Sequence, residues 1–180
     1  VFTATDYSGI ADYAIAHLEE LGFAVHRLTG KTPGRAGLFA SLGPAGRGGM
    51  LLSAHLDVVP VEGQDWTSDP FRMTRRDGRL YGRGAFDMKG SLAAIMLVGK
   101  AAVARRLRGD VIITAVADEE YASLGTAGVV QRVTADAAIV TEPTALRVCV
   151  AHKGFIWLDI ETTGVAAHGS RPDLGVDAIA

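Results

Sequence analysis

The chain has 180 residues, of which 48% are hydrophobic, and its 20 acidic and 18 basic side chains nearly balance. This length accommodates one domain, or one domain and part of another, and it allows a sizeable core. The near-balanced charge, without a long basic run, gives no indication of nucleic acid or an anionic membrane as a partner. Cys149 is the single cysteine, which excludes a disulfide framework and a thiolate zinc cluster, and its apolar neighbours predict a buried position in a strand.

The first third of the chain predicts one helix followed by three strands. The helix is "IADYAIAHLEELGF", whose apolar residues Ile10, Ala14, Leu18 and Leu21 share one face and which ends at Gly22. Three strand patterns follow, separated by turn-forming residues: "AVHRL", "AGLFASLG" and "GGMLLSAHLDVVP". Residues 62–80 are interrupted by polar residues, Trp and Pro, and they predict a surface loop.

Helices and strands then alternate, which is typical of an α/β sheet flanked by helices. The segments are the helix "MKGSLAAIMLVGKAAVARRL", the buried strand "DVIITAVADEE", the helix "TAGVVQRV" and the buried strand "DAAIVTEP". From about Val148 the pattern changes to two alternating strands in "VCVAHKGFIWLDIETTG", followed by the beginning of a helix near Asp173. We therefore expect a first domain at 1–150 and the truncated beginning of a second at 151–180.

His55 and Asp57 in "SAHLDVV" are two residues apart, so on a strand they share one face. A histidine that binds a metal usually donates its other ring N–H to a neighbouring acceptor, and a carboxylate at this spacing is suitable. A histidine paired with a near neighbour at the end of a strand would give the same short motif.

Further carboxylates follow two other apolar strands. Glu119 and Glu120 end one of them, where α/β sheets bind ligands, and Glu142 ends the next. Adjacent residues on a strand point to opposite faces, so we expect one glutamate to bind a metal and the other to act as a base. The alternatives are an acidic turn in water and a solvated glutamate at the start of a helix.

The loop "YGRGAFDMKG" contains Gly82, Gly84 and Asp87. A dinucleotide-binding loop would have a third glycine where Asp87 stands, and a carboxylate there would repel a pyrophosphate. The spacing does not match a Walker A loop either. The glycines are therefore interpreted as allowing a tight turn that directs Asp87 inward, with an N-cap aspartate as the alternative.

Taken together, these side chains predict a metal centre. Asp57, Asp87, Glu120 and Glu142 would be very costly to bring together without positive charge, and two divalent cations would neutralise them. Nitrogen and carboxylate ligands without thiolate favour zinc, with cobalt or manganese as alternatives. Two metal ions about 3.5–4 Å apart are typical of hydrolases.

Six stretches in chain order resemble the family of two-zinc enzymes that includes acetylornithine deacetylase, succinyl-diaminopimelate desuccinylase, aminoacylase and glutamate carboxypeptidase. They are "SAHLDVVP", "WTSDPF", "DGRLYGRGAFDMKG", "ADEEYASLGT", "VTEPT" and "AAHGSRP". The resemblance covers nearly all of the chain. It implies an α/β catalytic domain of the zinc-exopeptidase type, with a mixed sheet flanked by helices, and then the start of an α+β lid or dimerisation domain.

The resemblance also implies a role for each site residue. His55 and Glu142 would bind one zinc ion, Glu120 would bind the other, and Asp87 would bridge both. Asp57 would orient His55, and Glu119 would take a proton from the metal-bridging water as it attacks an amide carbonyl. His168 would polarise the substrate carbonyl from the lid, often across a dimer interface.

By the same resemblance, the substrate would be an N-acyl amino acid or a small peptide, and the full-length protein would be a homodimer. The composition, with a single cysteine, favours a cytoplasmic location. The family's second zinc ion also takes a histidine near the C-terminus of the full enzyme, which we do not find in these residues. We therefore expect the 180 residues by themselves to be inactive or weakly active. A non-catalytic α/β module that retains the fold is the alternative hypothesis.

Overall fold

The computed structural model describes residues 6–30, 32–44, 48–156 and 158–179. The chain divides into two compact units, Val1–Arg147 and Val148–Ala180. The sequence pattern placed the division at 150/151, and whether each unit is a domain of the kind proposed remains a prediction.

The first unit contains nearly all of the regular secondary structure. Its helices are α1 (Ser8–Glu20), α2 (Lys89–Val103), α3 (Glu119–Ala122) and α4 (Leu124–Val130). Its strands are β1 (Ala24–Thr29), β2 (Ala36–Leu42), β3 (Gly49–His55), β4 (Thr74–Arg76), β5 (Arg79–Tyr81), β6 (Asp110–Val116) and β7 (Ala137–Val140). The β4–β5 hairpin lies in the segment that the sequence predicted to be a surface loop without strands.

Five strands form a mixed sheet in the order β1-β2-β6-β3-β7. β1 and β2 are antiparallel, and β2 is antiparallel to β6. β3 is parallel to both β6 and β7, so these three strands run in one direction side by side. The predicted α/β fold with a mixed sheet and flanking helices is confirmed.

One core cluster joins α1 and α2 to the sheet. The two helices contribute the buried residues Ala11, Ala14, Leu18, Leu92, Ile95 and Met96. The strands contribute Leu38, Leu52, Ile113 and Ala115, which share one face because Leu38 pairs with Ala115 and Leu52 with Ile113. Each buried leucine, isoleucine or methionine side chain in this cluster contributes about 1.5–3 kcal/mol, so this packing holds the strands that carry the site.

The second unit differs from its sequence-based expectation. No strand occurs in 148–156 or 158–164, and the described part of this unit shows only an isolated bridge between Val165 and Val176. The described apolar residues of the expected strands are exposed, and Cys149, expected in a core, is exposed as well. Near Asp173 there is a short 3₁₀-helix, Pro172–Leu174, instead of an α-helix. An alternating pattern becomes a strand only when another strand pairs with it, and the described residues of this unit supply no such pair.

Among the residues that the structure describes, no helix combines the length and the apolar character needed to cross a membrane.

Candidate metal centre

The ends of three parallel strands bring the predicted residues to one edge of the sheet. His55 is the last residue of β3, Glu119 begins the short helix after β6, and Glu142 follows the end of β7. Thr141 is tied to β3 because its backbone N–H and its hydroxyl each donate to the carbonyl of Ser53, both at 3.2 Å. Glu142 is therefore held beside the end of β3.

The imidazole of His55 lies at the centre of this group. Its Nε2 is 3.0 Å from Oδ1 of Asp87 and 3.6 Å from Oε1 of Glu142. Glu119 is slightly farther, with Oε2 at 3.9 Å from the same nitrogen. One ligand atom each from His55, Asp87 and Glu142 lies within 4.8 Å of the other two, which is close enough for one metal ion to contact all three.

Asp57 supports His55 from the interior. The side chains of His55 and Asp57 are 1% and 0% exposed. Nδ1 of His55 lies 2.9 Å from the backbone carbonyl of Asp57, and a carbonyl accepts, so Nδ1 carries the proton of the neutral ring. Nε2 is then the ring nitrogen that faces the carboxylates, within hydrogen-bond distance of Oδ1 of Asp87, and it is the atom that would bind a cation placed among them. The Asp57 carboxylate is farther from this ring, with Oδ1 3.6 Å from Nδ1.

Asp87 is delivered by the glycine-containing turn, and its peptide bond to Met88 is cis. Gly84 has a φ of +80° and is packed so closely that a Cβ there would lie 2.9 Å from Cγ1 of Val58. Met88, fully buried, precedes α2 as its N-cap, and no side chain caps the helix there. The N-cap alternative for Asp87 is therefore not what the structure shows.

Glu119 and Glu120 do not lie on a strand, so the expectation that they point to opposite faces of the sheet was wrong. β6 ends at Val116, and Asp118 takes a left-handed conformation with φ 59° that ends the extended backbone. Both glutamates therefore occupy the first turn of α3. The backbone N–H of Glu120 donates to Oδ2 of Asp57 at 3.0 Å, which links α3 to the buried side of the site.

Burial and repulsion among the carboxylates raise the pKa values of Glu120 and Glu142. Burial, and then the charge of Asp87, raises the pKa of Glu120 to about 7. The pKa of Glu142 is also raised, first by burial and then by Glu119 and Asp87, against the opposing effect of His55. Burial alone would lower the pKa of His55, but Asp57, Glu142, Asp87 and Glu119 outweigh it and raise that pKa.

The donor set fits a divalent cation. It combines one imidazole nitrogen with carboxylate oxygens, which suits zinc and related ions. Within the described part of the chain, Oδ1 of Asp57 is buried without a hydrogen-bond partner, as expected for a carboxylate whose surroundings need more positive charge. Lys89 lies close enough to Asp57 and Asp87 for their charges to oppose the lowering of its pKa by burial.

His168 belongs to the second unit, and its side chain is exposed. Its Nδ1 accepts from the backbone N–H of Ser170 at 3.2 Å and lies 2.9 Å from the Ser170 hydroxyl. A backbone N–H can only donate, so the neutral ring carries its proton on Nε2.

Two contributors to the site escaped the sequence interpretation. Met88 accepts the backbone N–H of His55 at its sulfur, at 3.3 Å, and so joins the turn to β3. Asp118 makes the turn that starts α3. The available signals were the position of Met88 directly after Asp87 and the end of the apolar run before Asp118.

Comparisons with known proteins agree with this geometry. Residues 51–171 match the model of Peptidase family M20/M25/M40, so the chain belongs to this family. It is 40% identical to the acetylornithine deacetylase of Proteus mirabilis over 165 residues, which are 90% of this chain and 42% of that protein. It is 41% identical to the acetylornithine deacetylase of Shigella sonnei over 164 residues, or 89% of this chain and 43% of that protein. The chain thus spans about two fifths of the length of these relatives.

Solved structures show the same fold. Human carnosine dipeptidase 1 is similar with a TM-score of 0.62 and 26% identity, over 76% of this chain and 32% of that one. An M20 family metallo-carboxypeptidase from Sulfolobus solfataricus has a TM-score of 0.63 and 27% identity, over 74% of this chain and 32% of that one. All these similar proteins carry the names of enzymes, so the comparisons do not favour the hypothesis of a non-catalytic module.

Proposed function

We propose that the protein is a metal-dependent hydrolase of amide bonds in N-acyl amino acids or small peptides. The observation that carries this proposal is the meeting of His55, Asp87 and Glu142 within 4.8 Å at the end of the parallel strands. Membership of Peptidase family M20/M25/M40 supports the reaction class. The position of the group supports it too, since α/β sheets bind their ligands at the carboxyl ends of the strands.

We propose two divalent metal ions, zinc first, as the cofactor. His55 and Glu142 would hold one ion, Glu120 would hold the other, and Asp87 would contact both. When bound, such ions polarise a carbonyl oxygen and make water more acidic at neutral pH. The raised pKa values of Glu120 and Glu142 support this assignment, because carboxylates crowded around one imidazole favour a cation.

Two side chains would then carry out the proton transfer and the orientation of the metal ligand. Glu119 would act as the general base, taking a proton from the attacking water and returning it to the leaving amine. It is about one third exposed and 3.9 Å from Nε2 of His55, so substrate and water can reach it beside the metal ligands. Asp57 would keep His55 in the tautomer that leaves Nε2 unprotonated.

His168 would donate a hydrogen bond to the substrate carbonyl as negative charge develops on its oxygen. Its tautomer supports this role, because a neutral ring with Nδ1 accepting from Ser170 has an N–H at Nε2 to donate.

N-acetylornithine is the first substrate to test, because deacetylases of that name are about 40% identical to this chain. N-succinyl amino acids and dipeptides are the next candidates, the latter because carnosine dipeptidase shares the fold. A homodimeric assembly and a cytoplasmic location complete the proposal for the full-length protein.

The test begins with zinc binding and then measures turnover. Calorimetric titration of the purified, chelator-treated complete gene product should show tight zinc uptake that is lost in Asp87→Ala. A panel of N-acetyl, N-succinyl and dipeptide substrates should then show zinc-dependent amide hydrolysis. Asp177→Ala, an exposed aspartate in the second unit, is the matched control and should bind zinc like the wild type. Absence of zinc uptake, or equal uptake by both variants, would refute the proposal.

A further inference from the structure

The helix that carries Glu119 and Glu120 is not held in place by a hydrophobic core. α3 is a single turn, and none of its four residues, all of which the structure describes, is buried. It begins after Asp118, a non-glycine residue with φ 59°. An aspartate tolerates this left-handed conformation better than most residues, but neighbouring contacts must hold it there. Polar contacts at this turn therefore decide where the two glutamates point.

One of these contacts is an ion pair between Arg35 and Asp118. The Arg35 guanidinium donates to Oδ1 of Asp118, and the two side chains are only 16% and 13% exposed. An ion pair shielded from water in this way is stronger and more directional than one on the surface. It connects the start of β2 to the turn that follows β6, although these residues are 83 positions apart in the sequence.

Arg35 is itself held on two sides. Its guanidinium donates to the hydroxyl of Tyr7, a residue that is 3% exposed, and stacks over the same ring with Cζ 5.0 Å from the centroid. Its backbone carbonyl accepts from the N–H of Gly30 at 2.7 Å, and a Cβ at position 30 would lie 2.8 Å from Cβ of Arg35. The close approach at Gly30 keeps Arg35 at the end of the β1–β2 hairpin, directed at Asp118.

A second contact holds α3 from the other side. Oδ2 of the buried Asp57 accepts the backbone N–H of Glu120 at 3.0 Å. The turn and the first residues of α3 are thus fixed between Arg35, at the end of the hairpin, and Asp57, beside His55. Loss of the Arg35 contact would leave the turn at Asp118 less restrained than Glu120, which Asp57 still holds, so the carboxylate of Glu119 could move relative to Nε2 of His55.

We propose that Arg35 is a positioning residue for the metal centre. By holding Asp118 it sets the turn from which Glu119 and Glu120 reach the ligands His55 and Asp87. This inference rests on the proposed function, because it assigns to Arg35 the alignment of a proposed base and a proposed ligand. Arg35 itself does not contact the reacting atoms in this role.

The test compares Arg35→Met with Arg35→Lys, Asp118→Asn and the control Arg27→Met. Arg27 lies on the same hairpin and pairs with Asp12, but both of those side chains are more exposed than Arg35 and Asp118. Zinc affinity of the complete gene product would be measured by calorimetry, and kcat and KM would be measured on the best substrate of the panel. Thermal unfolding of the metal-free protein would check that each variant is folded.

Arg35→Met and Asp118→Asn should lose about tenfold or more in zinc affinity, the effect expected when a residue that orients ligands is removed. Their kcat should fall by about 10-fold to 100-fold while KM stays within about twofold, because a small misplacement of the base acts on the chemical step. Arg35→Lys should recover part of both losses, since it restores the charge without the planar fork. Arg27→Met should match the wild type in zinc affinity and kcat.

Wild-type zinc affinity and kcat in folded Asp118→Asn would overturn the inference, and so would losses in Arg27→Met equal to those in Arg35→Met. Should Arg35→Met not fold, Asp118→Asn and Arg35→Lys decide the question by the same criteria. Failure of the wild type to bind zinc would instead refute the proposed function, so the two failures are distinguishable.

Discussion

The two sides of the candidate metal centre are built in different ways. On the β3 side, His55, Asp57 and Met88 are almost completely buried, and they contact one another through backbone and side-chain hydrogen bonds. On the α3 side, Glu119 and Glu120 lie on a single helical turn without a buried residue among its four described members. The β3 side is positioned by packing. The α3 side is positioned by two polar contacts, the hydrogen bond from Glu120 to Asp57 and the ion pair between Asp118 and Arg35.

This difference suggests that the β3 side mainly holds the metal and that the α3 side mainly serves proton transfer. Buried residues are held by many neighbours and keep a ligand such as His55 in one geometry. A partly exposed turn leaves its glutamates accessible to water and substrate, but it depends on a few hydrogen bonds. Substitutions on the β3 side should therefore have the largest effect on zinc affinity. On the α3 side, loss of Glu119 should mainly slow proton transfer, whereas changes that also move Glu120 should weaken zinc binding to a smaller extent.

The largest expected effect is on the β3 side, in His55→Ala. Loss of the central imidazole should lower zinc affinity by more than about 100-fold and should abolish hydrolysis. This exceeds the loss of about 10-fold to 100-fold that is typical when a residue that only hydrogen-bonds to a metal ligand is removed. Calorimetry and a zinc-dependent assay measure both effects. His17→Ala is the control, because His17 lies on α1 and stacks on Tyr13. Similar zinc affinity in His55→Ala and His17→Ala would contradict the proposal that the β3 side holds the metal.

On the α3 side, Glu119→Gln should separate catalysis from metal binding. Replacing the carboxylate by an amide removes the base but keeps the shape, so kcat should fall by about 10²–10⁴-fold. Zinc affinity should stay within about threefold of the wild type, because Glu119 is proposed as the base and not as a metal ligand. Steady-state kinetics measures kcat, and calorimetry measures zinc affinity. A variant that loses zinc and keeps its kcat per bound metal would place Glu119 among the ligands.

Asp57→Asn probes the residue that joins the two sides. Its backbone carbonyl would still accept from Nδ1 of His55, but the charge near the ring and beside the Glu120 N–H would be lost. We expect zinc affinity to fall by about 10-fold to 100-fold, as is typical for residues that orient metal ligands without binding the metal themselves. Calorimetry gives the affinity. Unchanged zinc binding would show that the carbonyl alone orients His55.

The smallest expected effect is the pH dependence of the metal-free protein. The pKa of Glu120 is raised from 4.5 to about 7, so the folded protein binds this proton more tightly than the unfolded chain does. The corresponding stabilisation is complete below pH 4.5 and is lost as the pH rises through about 7. Relative to Glu120→Gln, the wild type should therefore lose free energy of unfolding as the pH rises.

Urea unfolding of both proteins in the presence of a chelator, at about pH 5 and about pH 8, measures this difference. Glu62→Gln is the control, since Glu62 is an exposed residue of the loop after β3. Parallel pH profiles for the wild type and Glu120→Gln would show that Glu120 titrates as it does in the unfolded chain.

Most elements and chemical groups of the first unit could be located from local patterns in the sequence. The apolar face of α1 is buried at Ala14 and Leu18, as its helical spacing predicted, and the apolar runs around β3 and β6 form central strands. His55, Glu119 and Glu142 could be placed near strand ends because a polar residue closing an apolar run is a local signal. The family was recognisable for the same reason, from short motifs in a fixed order.

The order of the strands in the sheet and the form of the turns could not be read from local patterns, because they depend on contacts between distant parts of the chain. The insertion of β6 between β2 and β3 brings Asp118 within reach of Arg35, and no local pattern contains that contact. The same holds for Glu119 and Glu120, which join a helix because Asp118 adopts a left-handed conformation after β6. In 148–164 an alternating pattern forms no strand among the described residues, because strand formation depends on a partner and not on the pattern alone. Periodicity is a property of neighbouring residues, whereas pairing and charge contacts join residues that are distant in the chain.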